Sequence, residues 1–134
     1  MVKVQQARYG RGILADPPIL DGLYDSLPVG AFPCTVRASF LLVLQFDRQE
    51  SESTHNVRME LKDYFGNTVS VLRDNDPVVI PPRTDTQPTA VQMFDVPLDS
   101  VLFPHGGLYT TRVSVNEQPV LELPIPVHLR RRAV

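Results

Sequence analysis

Thirteen prolines, about twice the usual share of roughly 5%, spread through this chain and set the first limit on its fold. Each proline removes a backbone donor and ends a helix. Prolines this dense suit short strands joined by tight connections. No segment carries helical periodicity for three turns. The signal that recurs has period two, which is the mark of a strand with one face buried and one in water.

The clearest example is "HNVRMELKD". Val57, Met59 and Leu61 point one way, while Arg58, Glu60 and Lys62 point the other. The segment ends in "YFGN", where Gly66 and Asn67 tolerate positive φ and reverse the chain. "TVSVL" returns, so residues 55–72 read as a hairpin. "GGLYTTRVSV" repeats the plan, with Tyr109, Thr111, Val113 and Val115 on one face. "NEQP" is its turn and "VLELPIPVHL" the returning strand. Pro124 and Pro126 donate no hydrogen bond, so this strand belongs at an edge or leaves its N–H side unpaired there. Between the hairpins lie a short strand at residues 78–80 and another near 90–96, whose weak alternation points to a bulge. "GILAD" is a short opening strand, and "PPILDGLYDSLPVGAFP" a long connection with apolar anchors.

"SFLLVLQF" departs from this pattern. From Phe40 to Leu44 five successive residues are apolar, so both faces of the strand need cover. In phase with the hairpins, Phe40, Leu42 and Leu44 join Val57, Met59, Leu61, Val113 and Val115 in the expected core. Leu41 and Val43 then face outward. They are the candidate interface residues, covered either by residues 17–33 or by a second copy of the chain.

Seven or eight strands with frequent turn signals imply an all-β fold, an antiparallel two-sheet immunoglobulin-like sandwich. "FPHGGLYTTRVSV" resembles its tyrosine corner, in which Tyr109 bonds back to the upstream backbone; the alternative is a core tyrosine with no such bond. The 134 residues suffice for a single domain, with residues 1–10 and 129–134 as peripheral tails.

The ordered segments "LAD", "LDGLYDSLPVGAFP", "RASFLLVLQF", "HNVRMELKDYFGNTV" and "PHGGLYTTRVSVNEQPVLELPIPV" together resemble a family of small bacterial proteins known as a domain of unknown function. The resemblance covers residues 13–127. It implies a β-sandwich and supplies no catalytic residues.

The residues offer little chemistry. Cys34 is the only cysteine, so no internal disulfide forms, and it reads as a small buried residue rather than a catalytic thiol. His55, His105 and His128 lack zinc-ligand spacing. "DNDP" (residues 74–77) has carboxylates for calcium but reads as a turn. Asp16, Asp21 and Asp25 are acid–base candidates only if folding pairs them. There is no phosphate-binding glycine loop and no nucleophile elbow. No cofactor or metal is expected, and no enzyme activity.

Net charge is −2, which gives no overall field for nucleic acid beyond a weak contact from Arg130, Arg131 and Arg132. Without a signal peptide or membrane-length apolar run, the expected location is the cytoplasm, as a soluble protein. The function expected is a non-enzymatic structural or protein-interaction module. It acts through its surface, as an oligomer or an assembly accessory subunit such as that of a virion or particle. The alternative is a small-ligand or carbohydrate-binding module contacting its ligand with Tyr24, Tyr64 and Phe65.

Overall fold

The alternating segments form strands because each can bury one row of side chains while its backbone groups pair with neighbours. The computed structural model describes residues 2–13, 19–47, 54–80 and 90–130. They hold nine strands and no helix: β1 Lys3–Ile13, β2 Ile19–Leu23, β3 Leu27–Val29, β4 Ser39–Phe46, β5 Thr54–Lys62, β6 Thr68–Val79, β7 Ala90–Pro97, β8 Gly107–Val115 and β9 Gln118–Leu129. One sheet has the order β2-β1-β4-β7 and the other β3-β9-β8-β5-β6. All pairings are antiparallel except β3 with β9. Among the described residues no helix is long and apolar enough to cross a membrane.

The inner faces meet in one cluster containing Phe40, Leu42, Leu44 and Phe46 of β4, Val57, Met59 and Leu61 of β5, and Val113 and Val115 of β8. The expected core residues are all buried there. On the outer face of β5, Arg58 pairs with Glu60 at 2.8 Å and with Asp74, as the alternation requires.

Several expectations are corrected. Residues 3–10 are no tail: they belong to β1, which lies between β2 and β4 and brings Tyr9 into the core. The long connection of residues 17–33 supplies two further strands, one to each sheet. Gly22 and Pro28 disguised them, and both are too short to show alternation. Residues 74–77 are not a turn. They bulge within β6, where Asn75 takes φ 46° and two residues, Asp74 and Asn75, fall between the partners of Val57 and Met59. Residues 78 and 79 finish the same strand. The bulge expected in β7 is absent, since β7 keeps register with β4 from Ser39↔Pro97 to Phe46↔Ala90. Its alternation looked weak because Val96 faces inward opposite Phe40 while Val91 and Met93 face outward. β9 is interior only where β3 meets Val127 to Leu129; the stretch holding Pro124 and Pro126 pairs with β8 alone.

The second face of β4 is closed within the chain. Leu41 and Val43 are each 6% exposed. Their direct neighbours on the flanking strands have long or polar side chains: Arg8 and Asp95 beside Leu41, Gln6 and Met93 beside Val43. With its carbonyl turned to Arg8, the Gln6 amide accepts from Nε and Nη2 at 3.0 and 3.1 Å. Residues 19–23 do not lie over this face but extend the sheet beside β1, and Leu23 is exposed.

One polar contact crosses the core. Tyr9 Oη lies 2.6 Å from Thr111 Oγ1 and 2.5 Å from the Leu123 carbonyl, linking β1 to β8 and β9. The phenol has one proton. Donating it to the carbonyl leaves the Thr111 hydroxyl to donate to the phenol oxygen. Burial, offset in part by the bonding to Thr111, pushes the Tyr9 pKa up to about 12. A folded-state value above the unfolded one stabilises the neutral form. That contribution is fully present below pH 10 and is lost as pH rises from 10 towards 12. Two pKa units correspond to about 3 kcal/mol. Tyr9→Phe should lower stability at neutral pH by about 1–3 kcal/mol, because it leaves two buried polar groups short of a partner. Denaturant melts should also lose most of the alkaline decline, leaving the part due to Tyr109, whose pKa burial also raises.

The β8–β9 turn uses Asn116 at φ 51° and Glu117 at φ 68°. This is the mirror-image turn that fits the twist of a hairpin and favours Asn-Gly. Glu117 carries the left-handed conformation at a cost of about 1 kcal/mol. Glu117→Gly should therefore raise the thermal midpoint, by an amount matching roughly 0.5–1 kcal/mol, with no change in fold.

Candidate functional site

The β5–β6 hairpin ends in a tip whose order comes from one carboxylate. Asp63 Oδ1 accepts from the backbone N–H of Phe65 and of Asn67, both at 2.9 Å. The Asp63 N–H donates to the Asn67 carbonyl at 2.9 Å, and the Gly66 N–H to the Asp63 carbonyl at 3.1 Å. Gly66 sits at φ 83°, where a side chain would be strained. Burial alone would raise the Asp63 pKa; the N–H bonds and the nearby His105 outweigh it and hold the carboxyl below its ordinary range.

This turn projects Tyr64 and Phe65, which are 72% and 77% exposed. Their rings meet edge to face at 5.6 Å and 82°. Phe65 in turn meets the edge of His105 at 6.4 Å. His105 stacks on Tyr109 at 5.8 Å, and Tyr109 packs edge to face on Phe103 at 4.9 Å. Tyr109 and Phe103 belong to the core. A column of rings thus runs from solvent to the interior. His105 Nε2 also lies 3.7 Å from Asp63 Oδ2, tying the β7–β8 connection to the tip. Tyr109 Oη donates to the His105 carbonyl, so of the two readings of this tyrosine the backward bond is the one present.

The structure brings Tyr64 and Phe65 together but places Tyr24 elsewhere. Tyr24 lines two clefts, of about 400 and 300 Å³, neither of which includes Tyr64 or Phe65. Leu41 and Val43 offer little area to a partner. Cys34 is only partly buried; its backbone pairs with Phe103, and burial pushes its thiol pKa up. The histidines have separate partners. His55 meets the Asn116 amide at 2.8 Å, His105 meets Asp63, and His128 meets Ser26 at 3.2 Å. Among the described residues no three His, Cys, Asp or Glu side chains gather as for a metal. Asp21 falls in β2 and Asp25 is exposed, while Asp16, Arg131 and Arg132 lie outside the described residues.

Two contributors escaped the sequence. The role of Asp63 had a readable signal, an aspartate opening a Gly-Asn turn. His105 had none, because only the fold brings residue 105 beside residue 63.

A family profile described as a family of unknown function (DUF6941) matches residues 18–128. The chain belongs to this family. The match runs from β2 to β9 and so includes Asp63, Tyr64, Phe65 and His105. No curated protein matches the chain.

Because the Asp63 pKa is depressed, its contribution is present above the unfolded value near pH 4 and is lost as pH falls through the folded value. An acid titration followed by NMR should move the Phe65 and Asn67 amides together below about pH 4. Asp63→Ala should abolish that step at little cost to the global melting temperature, since the tip is a local unit.

Proposed function

We propose that the protein is a non-enzymatic interaction module that binds another protein through the tip of the β5–β6 hairpin. One observation carries the reading: two large aromatics stand about three-quarters exposed on a turn whose backbone is already fixed. Isolated exposed apolar residues are ordinary. An adjacent Tyr–Phe pair backed by the half-buried His105 ring, which itself stacks on the core, has the character of an interface anchor, giving large contact area at small entropic cost. Rings 82° apart form no flat platform, which makes the carbohydrate reading the weaker one.

We also infer that the two sheets make an immunoglobulin-like sandwich. The order β9-β8-β5-β6 corresponds to G-F-C-C′ of the variable type, and β1-β4-β7 to A-B-E. The bond from Tyr109 to His105 supports the same assignment. In this frame the tip is the C–C′ loop, with His105 in the E–F connection beside it.

The experiment compares affinity capture by the wild-type chain, by Tyr64→Ala/Phe65→Ala and by Val71→Ala. Val71 is an exposed apolar residue of the same hairpin, on β6 outside the turn. All three should melt within a few degrees of one another. A bound protein should be lost from the tip variant by at least about tenfold and kept by the Val71 variant, as expected for aromatic anchors worth about 2 kcal/mol or more. Equal capture by all three would sink the reading.

A further inference from the structure

The cleft beside β3 combines a concave shape with local positive charge. Its volume is about 400 Å³, within the roughly 300–1,000 Å³ of small-molecule sites. One wall is β3, in the five-stranded sheet; the other is residues 34–37, which lead into β4 of the four-stranded sheet. The cleft therefore sits in the seam between the sheets. Leu27 and Val29 are buried in the core beneath it, while Tyr24, Pro28 and Val36 keep exposed surface and give the lining an apolar side. Among the described residues, the charged ones lining it are Arg37 and Arg130.

Both arginines are exposed, and neither has an ion-pair partner among the described residues. By contrast Arg58 and Arg112 face carboxylates, Arg73 lies over the Phe94 ring, and Arg8 is bonded to Gln6. In a chain of net charge −2 this is a local cationic site rather than part of a general field. Both walls are fixed in advance. β3 pairs with β9 from Leu27↔Val127 to Val29↔Leu129, and the Arg130 N–H donates to the Val29 carbonyl at 2.7 Å. Cys34 exchanges backbone bonds with Phe103 at 3.0 and 2.8 Å.

We propose that this cleft binds a small anion with an apolar body, its carboxylate or phosphate held by Arg37 and Arg130 and its apolar part against Tyr24, Pro28 and Val36. A guanidinium presents a planar fork that matches either oxyanion. Fixed walls reduce the ordering cost of binding.

The test is an NMR titration of the full chain with phenylphosphate and with benzoate. Benzyl alcohol and inorganic phosphate serve as the single-feature controls. Saturable shifts at the amides of Val29, Gly30, Thr35 and Val36 are expected with at least one aromatic anion. The controls should bind at least about tenfold more weakly, since each lacks one half of the recognition. Tighter phenylphosphate assigns a phosphate ligand, and tighter benzoate a carboxylate. Arg37→Gln and Arg130→Gln should each weaken binding about five- to tenfold with unchanged melting. If one variant melts early, the other carries the comparison. Absence of saturable shifts with both anions up to millimolar concentration overturns the proposal. So does binding that survives in the double variant.

Discussion

Strand β4 is the constraint on which the other strands depend. It is buried on both faces and paired on both edges, by β1 and by β7. Its inward row is Phe40, Leu42, Leu44 and Phe46, all without exposed surface. Burying one such side chain contributes about 1.5–3 kcal/mol. Four of them rival the whole net stability of a domain, roughly 5–15 kcal/mol. Both partners of β4 are distant in sequence, one near the start of the chain and one about fifty residues on. Losing the β4 pairings would therefore be a global event, whereas loosening the hairpin tip is a local one.

The polar bridge from Tyr9 to Thr111 and Leu123 complements that apolar packing. Apolar contacts between sheets tolerate sliding, because many registers bury similar area. A phenol that must meet two specific oxygens does not. Tyr9 is also the partner of Phe40 across the strand pair, so the same residue fixes β1 against β4 and the first sheet against the second. The only cysteine is Cys34, so no intrachain disulfide shares this task.

The inner faces of the sheets are closed by the core, and the candidate sites lie at an end and at a seam. The aromatic tip occupies the end where β5 turns into β6. The arginine cleft lies where one sheet gives way to the other. The exposed ring pair sits on a connection, where side chains are free of the sheet packing.

By itself the sequence determined the strands that alternate. β5, β8, the inward row of β4 and the core they form were legible, because period-two patterning is a direct record of burial on one face. The backward bond of Tyr109 and the aromatic pair at the hairpin tip were legible for a similar reason, since both are local. β2 and β3 were not, because strands of five and three residues carry too little pattern beside Gly22 and Pro28. Residues 3–10 of β1 look like a tail in the sequence because their pairing depends on partners far along the chain. Only the tertiary structure decided that Leu41 and Val43 are covered from within, that Tyr24 stands apart from Tyr64, that His105 backs Phe65, and that Arg37 and Arg130 share one cleft. Each of these pairs residues distant in sequence, and their proximity is set by sheet order and register rather than by any spacing the chain displays.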